Sequence, residues 1–113
     1  DVPYGTDEWL LAALALGAKG AVGSTYNFAA PIYLRLMAAF ARGDLEAARV
    51  EQFRSAQLVR ILARRGFMGS AKALMQRLGV DVGPARLPLM KLDPAQALDL
   101  EKELEAAGFF SWI

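Results

Sequence analysis

Only two short segments of this 113-residue chain read as β-strand, residues 1–4 and residues 20–25. The second, Gly20-Ala21-Val22-Gly23-Ser24-Thr25, is a short apolar run with turn signals on both sides, which suits a buried parallel strand. The first is too short to be an element by itself and reads as the tail of a strand. One strand and one stub cannot make a stable parallel sheet, because such strands are covered on both faces and flanked by neighbours. The chain is therefore expected to be the end of a larger βα protein. Its opening, Asp1-Val2-Pro3 with no initiator Met, reads as processed, trimmed or partial.

The remaining residues read as helices. Thr6 is placed to cap a helix over 7–16 whose first turn carries Asp7 and Glu8, both favourable near the positive end of the macrodipole. Gly17 is a natural stop. Pro31 fits the first turn of a second helix ending near Gly43. Asp44 is placed to cap a long third helix that reaches Arg65 and closes at Gly66. At about 100° per residue, Leu45, Ala48, Ala56, Val59 and Ala63 fall on one side of it, while Val50, Leu58 and Ile61 crowd the other. A helix apolar on two sides is sandwiched between layers or lies in a subunit contact. Ser70 opens a fourth helix ending at Gly79. Residues 83–89, GPARLPL, are expected to be extended, since each proline bars helix before it. Asp93-Pro94-Ala95-Gln96 combines an N-cap with proline at N1 and glutamine at N3, and starts a last helix to about Ala107.

Composition removes whole classes of chemistry. The chain has no Cys and no His, so disulfides, thiolate metal sites and serine–histidine or cysteine–histidine catalysis are excluded within it. Thirteen basic residues against twelve acidic ones leave a net charge of +1, which gives no field to recruit nucleic acid or an anionic membrane. The longest apolar stretch, residues 9–16, is far short of the roughly 20 residues that cross a bilayer. No secretory signal is visible. A hydrophobic fraction of 55% is rich for a free-standing domain of this size and agrees with a piece built to be covered.

Few residues can carry chemistry. Asp7 and Glu8 have a plain role as first-turn acids, stabilising by on the order of a few tenths of a kcal/mol. They also suit a ligand rich in hydroxyls, because a carboxylate offers about four acceptor positions and no donor. Ser24 and Thr25 close the small-residue strand, where hydroxyls commonly satisfy loose backbone groups. A ligand reading there needs Gly20 and Gly23 to let it approach the backbone. Tyr26 and Asn27 read as a packing residue and a turn or cap. None of Lys19, Lys72, Lys91 and Lys102 reads as a desolvated amine tuned for Schiff-base chemistry. Arg60, Arg64 and Arg65 read as cations complementing a helix end, not as a phosphate site.

The segments Gly5-Thr6-Asp7-Glu8 and GAKGAVGSTYN at 17–27 resemble the N-acetylneuraminate lyase branch of the dihydrodipicolinate synthase / N-acetylneuraminate lyase family of class I aldolases. The likeness continues through AFARGDL, Gly66-Phe67 and GPARLPL, and spans essentially the whole chain. It implies an α/β fold: the C-terminal part of a (β/α)8 TIM barrel, with the end of strand seven, helix seven, strand eight and helix eight, plus a three-helix C-terminal extension. Residues 1–43 would then be the last βα units and 44–113 the helical extension of the same domain. The implied reaction is cleavage of N-acetylneuraminate (sialic acid) to N-acetylmannosamine and pyruvate through a lysine Schiff base, with a tyrosine moving the proton and no cofactor. That lysine and tyrosine would lie upstream of Asp1, so the resemblance places no catalytic residue here. The substrate-binding residues that carry over are Gly5 through its backbone, Asp7 and Glu8 through their carboxylates and Ser24 through its hydroxyl. A cytoplasmic homotetramer is implied as well.

Two other readings stand beside this one. The chain could serve another pyruvate aldolase of the superfamily, dihydrodipicolinate synthase-like or acting on a keto-deoxy sugar acid; a second carboxylate at Glu8 favours the substrate with more hydroxyls. A non-catalytic helical interaction module is the reading from a different class.

Overall fold

Tyr4 pairs with Ala21 in a single parallel bridge: the Tyr4 amide donates to the Gly20 carbonyl (3.0 Å) and the Val22 amide to the Tyr4 carbonyl (2.8 Å). The structure, a computed structural model, describes residues 2–113; Asp1, assigned above to the strand stub, lies outside the described residues. The expectation of a strand over 20–25 is corrected to this one rung, since a strand needs further rungs to either side and none forms among the described residues. The parallel sense requires a crossover, and α1 (Leu10–Ala15) supplies it.

The chain is mostly helical, with α2 (Tyr26–Ala41), α3 (Leu45–Ala63), α4 (Phe67–Arg77) and α5 (Pro94–Ala107) following α1. Asp7–Trp9 form a 3₁₀ turn ahead of α1, so the helix expected over 7–16 is tighter at its start and stops one residue early. Thr6 makes no side-chain cap; its carbonyl accepts from the Trp9 amide instead (3.1 Å). Pro31 lies inside α2, not in its first turn. The helix breaks at Ala29 (φ −131°, ψ 24°), so a short turn precedes the stretch that Pro31 opens.

Asp44 does cap α3, accepting from the Ala47 amide (3.0 Å). The helix ends at Ala63, and Gly66 at φ +88° turns the chain directly into α4. That turn also corrects the start expected at Ser70. The Ser70 amide already donates to the Gly66 carbonyl (3.0 Å), and its side chain is buried within the helix. The two apolar faces read on α3 are buried only in part: Ala48 from one and Leu58 and Ile61 from the other are buried, while Leu45, Val50 and Phe53 are exposed. The buried stripe runs through Ala48, Glu51, Ser55, Leu58 and Leu62. Periodicity of apolar residues misses it because two of its members are polar and satisfied by partners.

The chain divides into two compact units. In the unit running to Gln57 with Ser111–Ile113, α1 packs on α2, and Leu10, Ile32 and Leu36 are fully buried. Each such side chain contributes about 2–3 kcal/mol through burial. Arg35 grips Glu51 through two bonds of 3.0 Å and donates to the Trp112 carbonyl (2.7 Å), while Arg54 reaches Glu51 (2.7 Å) and lies over the Trp112 ring.

In the unit of residues 58–110, α4 packs on α5 around Leu74, Leu100, Leu104 and Phe109. Arg64 and Arg65 bind Glu103, and Arg65 also binds Asp99, so these arginines are engaged by α5. Asp93 and Gln96 form the expected capping box. Residues 81–86 are without regular structure and a turn follows at the cis Leu87–Pro88 bond, which shortens the extended stretch expected over 83–89.

Candidate active site

Residues 5–8 and 22–25 meet at several points. A Cβ at Gly5 would lie 3.9 Å from the Val22 carbonyl oxygen, and one at Gly23 would lie 1.7 Å from Oδ1 of Asp7. Oδ2 of Asp7 accepts both the Thr25 amide (2.9 Å) and the Thr25 hydroxyl. The acid that opens the first helical turn is thereby tied to the end of the small-residue segment, through the two positions that flank Ser24.

A second set of contacts holds the backbone of residue 7. Its carbonyl accepts from the Ser55 hydroxyl (3.1 Å) and from Nε2 of Gln52 (3.3 Å). Oε1 of the same glutamine accepts from the Leu11 amide (2.7 Å), one of the unpaired donors at the start of α1. On the other side, the Thr25 hydroxyl meets the Tyr33 hydroxyl, which in turn lies 2.9 Å from Ser55 Oγ. Asp7, Thr25 and Ser55 are all buried.

Tyr33 and Tyr26 stack edge to face with centroids 4.0 Å apart. Burial raises the Tyr33 phenol above its usual range; its hydrogen bonds with Ser55 and Thr25 oppose this, and the charges of Asp7 and Glu8 add to it. Tyr26 is pushed up further, first by burial and then by Asp7, and its hydroxyl is enclosed without a hydrogen-bond partner among the described residues. Both phenols therefore stay protonated around neutral pH.

Of the residues named from the sequence, Asp7 is buried with one oxygen engaged, Glu8 is half-buried, and Gly5 and Ser24 are exposed. Asn27 closes a turn by donating to the Ser24 carbonyl (2.9 Å). Lys72 donates to the Val82 carbonyl (3.3 Å) in the second unit. Sequence reading misses Tyr33, Gln52 and Ser55. A stripe drawn through Ala48, Leu58 and Leu62 at spacings of three and four passes through Ser55, and that is the available signal.

Residues 2–107 match the Dihydrodipicolinate synthetase family. The N-acetylneuraminate lyase of Rattus norvegicus is 39% identical over 111 residues, an alignment covering 96% of this chain and 35% of that protein. The N-acetylneuraminate lyase of Rhizobium meliloti (strain 1021) is 37% identical over 108 residues, covering 96% and 36%. Among solved structures, Proteus mirabilis N-acetylneuraminate lyase superposes with a TM-score of 0.90 at 41% identity, covering 96% of this chain and 37% of that one. The chain spans about a third of the length of the curated relatives it matches.

Proposed function

This chain belongs to the dihydrodipicolinate synthetase family, and from that premise we propose that it is part of a pyruvate-dependent Schiff-base aldolase cleaving N-acetylneuraminate to N-acetylmannosamine and pyruvate. On this reading residues 1–43 are the last βα units of a (β/α)8 barrel and residues 44–113 are its helical extension. The observation that supports it most is the junction of Asp7 with Gly23 and Thr25, which draws the acidic loop and the hydroxyl-bearing segment together. Glu8 and Ser24 adjoin that junction in sequence. The open-chain sugar is a string of hydroxyls, so the Glu8 and Asp7 carboxylates accept from them, Ser24 donates or accepts, and Gly5 offers its backbone.

The lysine that forms the Schiff base and the tyrosine that moves the proton belong, on this reading, to a segment outside this sequence. The chain contributes binding and orientation: it holds the sugar tail so that the bond to be broken sits beside the imine. A cytoplasmic homotetramer is part of the same proposal; the exposed Val50 and Phe53 on α3 support only that this face is covered in the whole protein.

Trapping the complete gene product with pyruvate and borohydride tests the reaction class. A stable pyruvate adduct, together with release of pyruvate from N-acetylneuraminate, is expected. Folded protein that forms no adduct would exclude the Schiff-base route. An adduct without turnover of sialic acid would point to a different keto acid.

A further inference from the structure

The three hydroxyls around Asp7 carry a proton order that the chemistry of the groups dictates. A carboxylate only accepts, so Thr25 Oγ1 donates its single proton to Oδ2 of Asp7. The Thr25 oxygen is then left to accept, and Tyr33 is the donor between them. The Tyr33 oxygen in turn accepts from Ser55, whose proton it shares with the Asp7 carbonyl. Every proton runs one way, from Ser55 through Tyr33 and Thr25 to Asp7, and the chain of bonds returns to the residue it ends on. The Thr25 amide adds a second donor to the same oxygen.

The consequence lies in what is left over. Oδ2 is consumed by this frame, while Oδ1 receives no hydrogen bond from the described residues. Gly23 makes its room: any side chain there would occupy its position. A carboxylate fixed at one oxygen and without a hydrogen bond at the other is a preset acceptor for a ligand hydroxyl, and presetting removes the rotamer freedom otherwise lost on binding.

We infer that Thr25, Tyr33 and Ser55 are positioning residues that hold Asp7 with Oδ1 presented to a hydroxyl of a polyhydroxylated keto acid. The inference rests on the aldolase reading above. None of the three touches the ligand; they act through Asp7.

The test compares Tyr33→Phe, Thr25→Val and Thr25→Ser with the parent in the complete gene product. Two substrates are used, N-acetylneuraminate and the pyruvate aldol of a simple alkyl aldehyde, which has no hydroxylated tail. Tyr33→Phe and Thr25→Val should each raise KM for N-acetylneuraminate about tenfold, with kcat within about twofold. Both should leave KM for the alkyl aldol unchanged. Thr25→Ser keeps the hydroxyl and should return KM to near the parent value. An unaltered KM for N-acetylneuraminate, or an equal rise for both substrates, would overturn the inference while pyruvate trapping still upheld the aldolase reading. A lowered unfolding midpoint with no selective KM change would overturn it in the same way, leaving the ring a merely structural one. Absence of a pyruvate adduct in the parent would overturn both together.

Discussion

Gly23 stands against the Asp7 carboxylate so closely that a Cβ there would fall 1.7 Å from Oδ1. A flexible acid could swing aside, but Thr25 holds this one at its other oxygen. Gly23→Ala is therefore expected to lower stability by about 1–3 kcal/mol, the usual range for an overpacked site. Urea unfolding of the complete gene product checks it; an unchanged midpoint would show that the carboxylate moves freely.

Glu8 and Ser24 carry the proposed ligand contacts without sharing the Asp7 frame. Glu8→Gln and Ser24→Ala should each reduce kcat/KM on N-acetylneuraminate by about tenfold, with pyruvate adduct formation unaffected. Steady-state kinetics beside borohydride trapping separates the two effects. Unchanged kinetics would return Glu8 to the role of a first-turn acid.

Tyr33 and Tyr26 titrate above the ordinary tyrosine value of about 10. Above that pH the unfolded chain loses phenolic protons that the folded chain keeps. Stability is therefore fully present below about pH 10 and falls as pH rises toward the folded values. Unfolding midpoints measured from pH 8 to about 11.5 should fall more gently in Tyr33→Phe than in the parent. Parallel slopes would mean that Tyr33 titrates normally.

Glu51 is buried between Arg35 and Arg54, and Arg35 also holds the Trp112 carbonyl. Arg35 is partly exposed, which tempers the penalty for leaving it unpaired. Glu51→Ala should cost about 2–3 kcal/mol, below the full range for a sealed pair. Loosening of the Trp112 contact should shift its fluorescence to the red, read in a Trp9→Phe background.

In the second unit, Gly69 faces backbone: a Cβ there would lie 2.4 Å from the Met90 carbonyl oxygen. Gly69→Ala is expected to cost about 1–3 kcal/mol and to raise amide exchange over residues 81–92. Protection left intact there would show that the loop shifts without loss.

The helices are legible where local rules set them. Asp93-Pro94-Ala95-Gln96 fixes the start of α5 because its capping groups lie within four residues of one another. Ser70 misleads for the converse reason: a serine resembles a cap in sequence, while the backbone at Gly66 decides where α4 begins. The 20–25 segment carries the right pattern, but a strand is completed by neighbours, and among the described residues only Tyr4 pairs with it. Asp7 stands out in the sequence as an acid in a first helical turn. Its frame does not, because Tyr33 and Ser55 come from two other helices and their role exists only once those helices pack around it.

The closed circuit through positions 7, 25, 33 and 55 makes them a single heritable unit. A change at one alters what the other three are worth, so substitutions there will be strongly non-additive and will rarely drift one at a time. Efforts to broaden substrate range would do better to randomise 8 and 24 and leave the circuit whole.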